Sequence, residues 1–387
     1  MEFMGYKRPD GRVGIRNHIL ILPASICASD TTRIVASQVT GAVTFNNQNG
    51  CAQVGVDQQL TMDVMAGFAA NPNVFGTVVV SLGCENCQMD LVVDAIKERT
   101  NKPIKSVIIQ EVGGTLKAIE KAVRYAKEMV EDASCVMHEP FDISELIIGT
   151  ECGGSDPTSG LASNPLIGQL SDLMVEHGGT TVLSETTEFI GAEHILASRA
   201  KDKEVHDRIY DIVYRFEKSL ELIGEEVRKG NPSPGNKAGG ITTLEEKSLG
   251  CIHKGGHTPV NAVYDYAKQL NKNEGLVIMD TPGSDPASVS AMVAGGCQLV
   301  VFSTGRGTPT GNPIAPVIKI TGNKITFANM KDNIDFDASP IIYGQKTLEE
   351  QGDELLELVK NVSSGKQTKA EVLGYMEIAI ARVCNYT

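Results

Sequence analysis

Residues 145–178, ELIIGTECGGSDPTSGLASNPLIGQLSDLMVEHG, contain the pattern that decides the fold. The apolar run 146–149 predicts a short buried strand. A helix follows, with Asn164 as its cap and Pro165 at its first position, and it ends at Gly178. A strand, a polar turn and a helix in this order are typical of a βα unit.

The turn between this strand and helix carries groups that can perform chemistry. Its polar side chains are Glu151, Cys152, Ser155 and Asp156. Open α/β sheets bind their ligands at the carboxyl ends of the strands, which is where this turn lies. The stretch therefore predicts a functional site.

The same alternation recurs along the 387-residue chain and predicts an α/β fold. Further strands are predicted at residues 18–24, 42–45, 74–82, 104–110, 180–183, 276–279 and 298–303. Further helices are predicted at 31–39, 57–70, 89–99 and 114–130, as two long polar helices within 195–229, and at 348–362 and 369–381. We expect mostly parallel sheets built from βαβ units in two Rossmann-like subdomains. The length suggests an N-terminal α/β domain, residues 1–140, and a C-terminal α/β catalytic domain, residues 141–387.

The composition limits the class of partner. The net charge of −13 argues against nucleic acid or an anionic membrane surface. It leaves a small anionic substrate open, because a local group of Arg and Lys can override the global sign. The N-terminus lacks the apolar core of a signal peptide and no apolar run is long enough for a membrane span, so we expect a cytoplasmic protein. Its nine cysteines are then reduced thiols or metal ligands.

Three cysteines lie where strands end or in glycine-rich turns, namely Cys51, Cys84 and Cys152. They could meet at one sheet edge, where three thiolates and one open position would hold an iron–sulfur cluster that binds substrate. The alternative is that they are small turn residues or buried thiols. The spacing of Cys84 and Cys87 also fits half a zinc site or a redox pair, but no second pair at suitable spacing supports zinc.

Acid–base candidates follow later strands. Glu185 or His194 could act as a general base or metal ligand, although the neighbouring acidic residues also fit ordinary surface positions. Lys254 lies in a glycine-rich turn and could bind a carboxylate or, if desolvated, act as a base. Arg306 stands between two glycines and could bind a carboxylate through two parallel hydrogen bonds.

Two further patterns leave alternatives open. The sequence GSDP occurs at residues 154–157 and 283–286, each time after an apolar strand and before a helix. Local helix capping explains both copies, and a duplicated α/β unit would also explain them. The basic N-terminal arm, with Arg8, Arg12 and Arg16, is either a solvated terminus or an arm that supplies cations to an anion.

Several long motifs then appear together and in order. They are GYKRPDGRVGIRN (5–17), NGCAQVGVD (49–57), SLGCENC (81–87), TECGGSDPTSGLASNP (150–165), GGTTVLSETTEFIGAEHIL (178–196), SPGNKAGGITTLEEKSLG (233–250), KGG (254–256), IMDTPGSDP (278–286) and STGRGTPTG (303–311). With these motifs the chain resembles the large catalytic chain of the altronate/galactarate dehydratase family. The resemblance covers about residues 5–340.

The resemblance implies a lyase that removes the α-proton of a small hydroxy acid and expels a β-substituent, giving a 2-keto acid. Dehydration of a sugar acid such as altronate or galactarate is the leading expectation. Sulfolactate sulfo-lyase, a sister enzyme that releases sulfite and pyruvate, is the alternative. The family also implies iron, as mononuclear Fe²⁺ or an iron–sulfur cluster, with Cys51, Cys84 and Cys152 as ligands.

The resemblance also suggests roles for individual residues. Glu185 or His194 is the expected base, with Lys254 second, while Lys254 and Arg306 contact the substrate carboxylate. The candidate substrate-binding residues are Ser155, Asp156, Asp280, Thr304 and Arg306.

The same resemblance bears on partners. Single-chain relatives carry a small domain before the motif that begins here at Gly5. We therefore expect a separate small subunit, together with a homo-oligomer of the large chain. A non-catalytic scaffold subunit that only holds a metal is a more distant alternative. A nucleotide-dependent oxidoreductase is disfavoured because no dinucleotide-binding fingerprint is present.

Overall fold

The computed structural model describes residues 1–386, in which the strands form three sheets. The strands are β1 (Glu2–Lys7), β2 (Val13–Gly14), β3 (His18–Pro23), β4 (Ala42–Val43), β5 (Val74–Ser81), β6 (Ile104–Ile108), β7 (His138–Asp142), β8 (Ile147–Cys152), β9 (Thr180–Leu183), β10 (Val260–Tyr264), β11 (Gly275–Met279), β12 (Leu299–Ser303), β13 (Val317–Thr321) and β14 (Phe336–Asp337). The helices are α1 (Ile26–Ala36), α2 (Gly55–Ala70), α3 (Met89–Lys97), α4 (Thr115–Ser134), α5 (Asn164–Glu176), α6 (Glu193–Ala197), α7 (Lys203–Glu221), α8 (Pro234–Gly239), α9 (Leu244–Ile252), α10 (Asp285–Gly295), α11 (Lys324–Asn329), α12 (Ser339–Ile342), α13 (Leu348–Ser363) and α14 (Lys369–Leu373).

The largest sheet has seven strands in the order β10-β11-β9-β8-β12-β13-β14, and every neighbouring pair is parallel. The residues of β8, β9 and β12 are all buried, as expected for strands covered on both faces. From β8 the chain proceeds to β9 on one side and later returns to β12 on the other. The crevice between β8 and β12 is therefore the topological switch point, where such sheets bind ligands.

A second parallel sheet, in the order β4-β3-β5-β6, is formed by the N-terminal part of the chain. A small antiparallel sheet, β2-β1-β7, pairs the N-terminal strand with the segment that precedes the seven-stranded sheet. These sheets confirm the predicted α/β class and its mostly parallel pairing. The division into domains at residue 140 stays a prediction.

Helices α2 and α10 pack against each other and join the two parallel sheets in one apolar core. Gly67 permits the close contact, since a Cβ there would lie 2.3 Å from the carbonyl oxygen of Ala294. Burying a side chain such as Phe68 or Met292 stabilises the fold by about 1.5–3 kcal/mol. The carboxyl edges of both sheets are thereby held in a fixed relation to each other.

Several predicted boundaries were wrong. Strand β8 reaches Cys152, so Glu151 and Cys152 belong to the strand and not to the turn. Asn164 is not a cap, because a π-helical turn, Ser159–Ser163, precedes it and its own backbone is helical. One long helix, α7, stands where two were predicted, and the last helix ends at Leu373 because Gly374 adopts a left-handed conformation.

The basic N-terminal arm is part of the folded core. Arg8 is buried and donates hydrogen bonds to the carbonyl oxygens of Pro72 and Arg16, both at 2.6 Å. Arg16 is also buried and forms two hydrogen bonds to Glu371, at 2.7 and 2.9 Å. These two cations therefore connect distant segments. Within residues 1–386, no helix is both long and apolar enough to cross a membrane.

Candidate active site

Strand pairing brings the motif residues together at the carboxyl edge of the seven-stranded sheet. Glu151 and Cys152 end β8, and Glu185 comes two residues after the neighbouring β9. Glu185 has a φ of 62°, a left-handed conformation that is costly for a residue with a Cβ. Its backbone N–H donates to Thr281 Oγ1 at 2.7 Å, which helps to hold this turn. The backbone thus directs the Glu185 carboxylate under the end of β8.

Lys254 enters the same space from the turn after α9. Its ammonium lies 2.5 Å from Glu185 Oε2, 3.0 Å from Cys152 Sγ and 3.1 Å from Cys251 Sγ. The Lys254 and Glu185 side chains are both 0% exposed. Glu185 Oε2 also accepts from the backbone N–H of Cys152 at 2.8 Å. The result is a buried ion pair flanked by two thiols.

The surrounding charges determine the protonation states. Burial lowers the pKa of Lys254, but Cys152, Cys251 and Glu185 outweigh it and hold that pKa well above the ordinary value. The hydrogen bond with Cys251, burial and the charge of Glu185 raise the pKa of Cys152 well above its usual range. Lys254 is therefore a cation at neutral pH and Cys152 a neutral thiol. The positive charge between the two sulfurs comes from the protein itself.

A second ion pair lies beside the first. Glu188 Oε1 accepts from Lys247 Nζ at 2.5 Å, and Glu188 Oε2 lies 4.0 Å from Cys152 Sγ. Burial and the nearby Glu185 raise the pKa of Glu188. Lys247 is 12% exposed, whereas Glu188 is 2% exposed. This lysine is the cation of the cluster that reaches the surface of the adjoining cavity.

That cavity has a volume of about 540 Å³ and opens beside Cys152. Its wall includes two of the predicted substrate-binding residues, Ser155 and Asp156, together with Lys247 and His253. Ser155 Oγ is buried and has no hydrogen-bond partner among residues 1–386. A mostly apolar cavity with a few polar groups, here the Lys247 cation and the Ser155 hydroxyl beside a buried acid–base pair, is typical of a small-molecule binding site.

The structure gives Asp156 and Thr304 local structural roles. Asp156 Oδ1 accepts from the backbone N–H and the hydroxyl of Thr158, and its Oδ2 accepts from Asn323 Nδ2 at 2.8 Å. Thr304 Oγ1 accepts from the backbone N–H of Gly307 at 2.9 Å and holds the turn after β12. Both side chains keep the turns in place around the switch point.

Three predicted residues lie outside the cavity wall. Arg306 is exposed, and its backbone N–H donates to the carbonyl of Gly154 at 2.8 Å. His194 is exposed on α6, and the described part of the chain offers its side chain no hydrogen bond to Glu185 or Lys254. Asp280 accepts from Arg215 at 2.7 Å and from Thr186 at 2.5 Å. The structure does not bring these three to the buried pair, and their catalytic or binding roles stay predictions.

The predicted cysteine ligand set does not fit a single iron ion. The ligand atoms of Cys152 lie within 4.8 Å of those of Glu185 and Cys251, and within residues 1–386 no such group of three includes Cys51 or Cys84. The reason is topological, because Cys51 and Cys84 belong to loops of the four-stranded sheet while Cys152 ends a strand of the other sheet. Cys84 Sγ is exposed and accepts a weak hydrogen bond from Gln110 at 3.7 Å.

Sequence reasoning missed several members of the cluster. They are Glu151 as an interior carboxylate, Cys251, Lys247 and Asp285. The spacing to Lys254 could have indicated Cys251. The two residues are three positions apart, and in a helical turn residues at this spacing lie on the same face. For Asp285 the signal was its position in the second GSDP sequence, which repeats the turn of the first at another strand end.

A doubly wound parallel sheet with a buried Lys–Glu pair beside a cavity at the carboxyl end of β8 is typical of α/β enzymes. Comparison with known proteins makes the class more specific. Residues 143–385 match the family model described as D-galactarate/Altronate dehydratase, C-terminal, and residues 5–134 match D-galactarate dehydratase/Altronate hydrolase, second domain. The chain belongs to this dehydratase family, whose members are lyases.

Three relatives are similar over nearly the whole chain. The (2R)-sulfolactate sulfo-lyase subunit beta of Chromohalobacter salexigens is 37% identical over 98% of this chain and 97% of the relative. The altronate dehydratase of Escherichia coli K12 is 36% identical over 98% of this chain and 77% of the relative. The altronate dehydratase of Bacillus subtilis 168 is 37% identical with the same two coverages. Dehydratases and a sulfo-lyase are thus matched at almost equal identity.

Proposed function

We propose that this chain catalyses β-elimination from a small 2-hydroxy acid to a 2-keto acid, as the large subunit of a two-chain sugar-acid dehydratase of the altronate or galactarate type. One observation carries the proposal. The Lys254–Glu185 pair is fully buried directly behind Cys152, which lines a cavity beside the carboxyl end of β8. Family membership supports the reaction class, and the subunit name of one relative supports a partner chain.

The chemistry requires a base and nearby positive charge. The hydrogen on the α-carbon leaves as a proton to a basic group of the site, and its electron pair forms the double bond of an enol. The β-hydroxyl leaves with one proton as water, and the enol tautomerises to the 2-keto acid. Removing a proton next to a carboxylate builds negative charge on that carboxylate. Lys254 and Lys247 are cations placed to stabilise that charge.

Recognition of the substrate would use the cavity wall. Lys247 supplies a cation for the carboxylate, and the unpaired Ser155 Oγ supplies a hydrogen-bonding group for a hydroxyl. A buried polar group without a partner is costly, by about 1–3 kcal/mol, and a bound substrate hydroxyl would remove that cost. The Lys247 cation therefore favours a substrate that carries a carboxylate.

Elimination of sulfite from (2R)-sulfolactate is the second candidate. It is supported by the 37% identity to the sulfo-lyase subunit, which matches the 36% and 37% identity to the two altronate dehydratases. The α-proton again leaves to a basic group of the site, and the carbon–sulfur bond breaks to release sulfite and the enol of pyruvate. A three-carbon sulfonate would place its second anionic group near Lys247.

The test uses protein purified from its source cells, so that a bound small chain is retained and seen by intact-mass measurement. Samples with added Fe²⁺ or Mn²⁺ are incubated without air with altronate, galactarate or (2R)-sulfolactate, and keto acid and sulfite are measured. The proposal expects keto acid without sulfite from a sugar acid, and sulfite with pyruvate would establish the second candidate. Lys254→Met should abolish product, whereas Lys229→Met, at an exposed surface pair, should not. A scaffold subunit would release no keto acid from any of the three.

A further inference from the structure

Three carboxyl groups converge behind the active-site wall on the side of β8 that faces α10. One oxygen each from Glu151, Glu185 and Asp285 lies within 4.8 Å of the other two, and this group is called the carboxylate triad. Glu151 is in β8, Glu185 follows β9 and Asp285 is the first residue of α10. Three separate elements therefore direct negative charge to one point.

One oxygen of the carboxylate triad is buried without a partner. Glu151 Oε2 accepts hydrogen bonds from Ser288 Oγ at 2.6 Å and Ser184 Oγ at 3.1 Å. Glu151 is 0% exposed, yet Oε1 has no hydrogen-bond partner within residues 1–386. A buried carboxylate oxygen without a protein donor is strongly unfavourable. This atom needs a positively charged or proton-bearing group that lies outside the described protein contacts.

The charges of the cluster do not balance. The carboxylate triad and Glu188 make four carboxyl groups, whereas only Lys247 and Lys254 provide ammonium groups among them. Full ionisation leaves two unmatched negative charges, which is the charge that a divalent cation neutralises.

The backbone leaves room for the approach of Asp285. A Cβ on residue 153 would lie only 2.1 Å from Asp285 Oδ2, so glycine at this position lets the carboxylate reach the end of β8. Asp285 is partly exposed, while Glu151 and Glu185 are fully buried. A small ion could therefore enter past Asp285 and meet the other two carboxylates deeper inside.

We infer that Glu151, Glu185 and Asp285 bind one divalent cation of the class that prefers oxygen ligands, such as Mn²⁺, Mg²⁺ or Fe²⁺. Carboxylate oxygens suit these ions better than they suit Zn²⁺ or an iron–sulfur cluster, which take nitrogen or thiolate ligands. The ammonium of Lys254 lies against the thiols of Cys152 and Cys251 and against Glu185 Oε2, so the ligand that Glu185 offers the ion is its other oxygen, Oε1. The inferred site uses the carboxylates, and the iron–sulfur cluster on Cys51, Cys84 and Cys152 stays a prediction.

The catalytic role of this cation rests on the proposed function, whereas its binding does not. A divalent ion next to Glu185 would add positive charge where the carboxylate of a hydroxy acid accumulates negative charge during elimination. It would also neutralise the unmatched charges of the carboxylate triad and stabilise the folded chain.

The experiment measures binding directly, with Mn²⁺ as the probe. Protein freed of metal by a chelator is titrated with Mn²⁺, and free Mn²⁺ is followed by its electron paramagnetic resonance signal. We expect about one bound ion per chain, with affinity lowered at least about tenfold in Glu151→Gln and in Asp285→Asn. Asp211→Asn, at an exposed carboxylate paired with Arg208, is the matched control and should bind as the unchanged protein does.

Each outcome of the titration is decisive. Mn²⁺ affinity equal in all four proteins, or no binding at all, would overturn the site and indicate that a shared proton satisfies Glu151. Circular dichroism and thermal unfolding of each variant show that a lost site is not simply a lost fold. Binding without keto acid from any substrate would leave the site standing and defeat the proposed function. Keto acid from protein that binds no Mn²⁺ would support the proposed function and overturn the metal site.

Discussion

Lys254 donates a hydrogen bond to Glu185 across 2.5 Å, and neither side chain is exposed to solvent. The two residues are 69 positions apart in the chain and meet only because the turn after α9 folds against the ends of β8 and β9. A buried pair of this kind contributes little net stability, but each partner depends on the other. This dependence can be measured.

Removing one partner of the pair should be worse than removing both. Lys254→Met leaves the Glu185 charge buried without its cation, and a loss of about 3–5 kcal/mol in the free energy of unfolding is expected. Glu185→Gln leaves the Lys254 ammonium buried without its carboxylate, and a similar loss is expected. The double variant, Lys254→Met with Glu185→Gln, should lose less than either single variant, and therefore less than the sum of the two. Urea unfolding of the four proteins supplies the cycle, and strictly additive losses would show that the residues are not coupled.

Gly153→Ala should damage the site through the added methyl group. The new Cβ would lie 2.1 Å from Asp285 Oδ2, so the carboxylate or the strand end must move. We expect a loss of about 1–3 kcal/mol in unfolding free energy, typical of overpacking, together with weaker Mn²⁺ binding.

Gly55→Ala is the control for that change. Gly55 is also a glycine, but an added Cβ meets no atom within 4 Å, and it begins helix α2. Alanine in a helix is more favourable than glycine by roughly 0.5–1 kcal/mol, so this variant should be as stable as the unchanged protein or slightly more so. Equal destabilisation of both variants would argue against the steric explanation.

The folded chain should lose stability in mild acid because of His18. Burial, with the charge of Arg16, lowers the pKa of His18 from 6.5 to about 4, even though Glu371 acts in the opposite direction. Between pH 4 and 6.5 the unfolded chain therefore binds more protons than the folded chain, and stability rises with pH across this window. Below pH 4 both states carry the proton and this contribution stays lost.

The measurement compares the unchanged protein with His18→Gln. Urea unfolding at intervals from pH 4.5 to 7 should give a steeper rise of stability with pH in the unchanged protein. Glutamine does not titrate, so the slope of unfolding free energy against pH in the His18→Gln variant reports only the other groups. Parallel curves for the two proteins would remove His18 as the cause.

Arg16 should prove structural. Its guanidinium donates to Glu371 and to the carbonyl oxygens of Val362 and Lys366, the latter two at 2.9 Å, which ties the N-terminal arm to the C-terminal helices. Arg16→Met leaves Glu371 without its partner, and a loss of about 3–5 kcal/mol is expected. Arg33→Met removes an exposed surface pair and should change stability by less than about 1 kcal/mol. A stable Arg16→Met protein that fails only in catalysis would instead support the arm as a source of substrate contacts.

Most of the α/β alternation could be predicted because each element carries its own local signal. The apolar runs of β3, β5, β8, β9, β11 and β12 were found within a few residues. The errors arose where tertiary contacts overrode the local pattern. Asn164 resembled a cap before Pro165, yet its side chain bonds Gly250 and Ser303, so the helix passes through it. Strand β13 was missed because its buried Lys319 interrupts the apolar pattern.

The candidate site was also predictable only in part. Glu185, Lys254 and Cys152 were all singled out from the sequence, since polar residues after apolar strands lie at the carboxyl edge of a parallel sheet. Their pairing was not predictable, nor were Cys251 and the carboxylate triad. Lys254 and Cys152 are 102 residues apart, and Glu151 and Ser288 are 137 apart.

The sequence by itself determined the α/β class, the family and the strand ends that carry chemistry, because these depend on hydrophobic periodicity, caps and motifs that are local in the chain. Only the tertiary structure decided which charges face each other. Strand order and helix packing place Lys254 between the two thiols and Asp285 beside Glu151, and they keep Cys51 and Cys84 out of the Cys152 group. Contacts over such separations arise from the packing of whole elements, which no local pattern encodes.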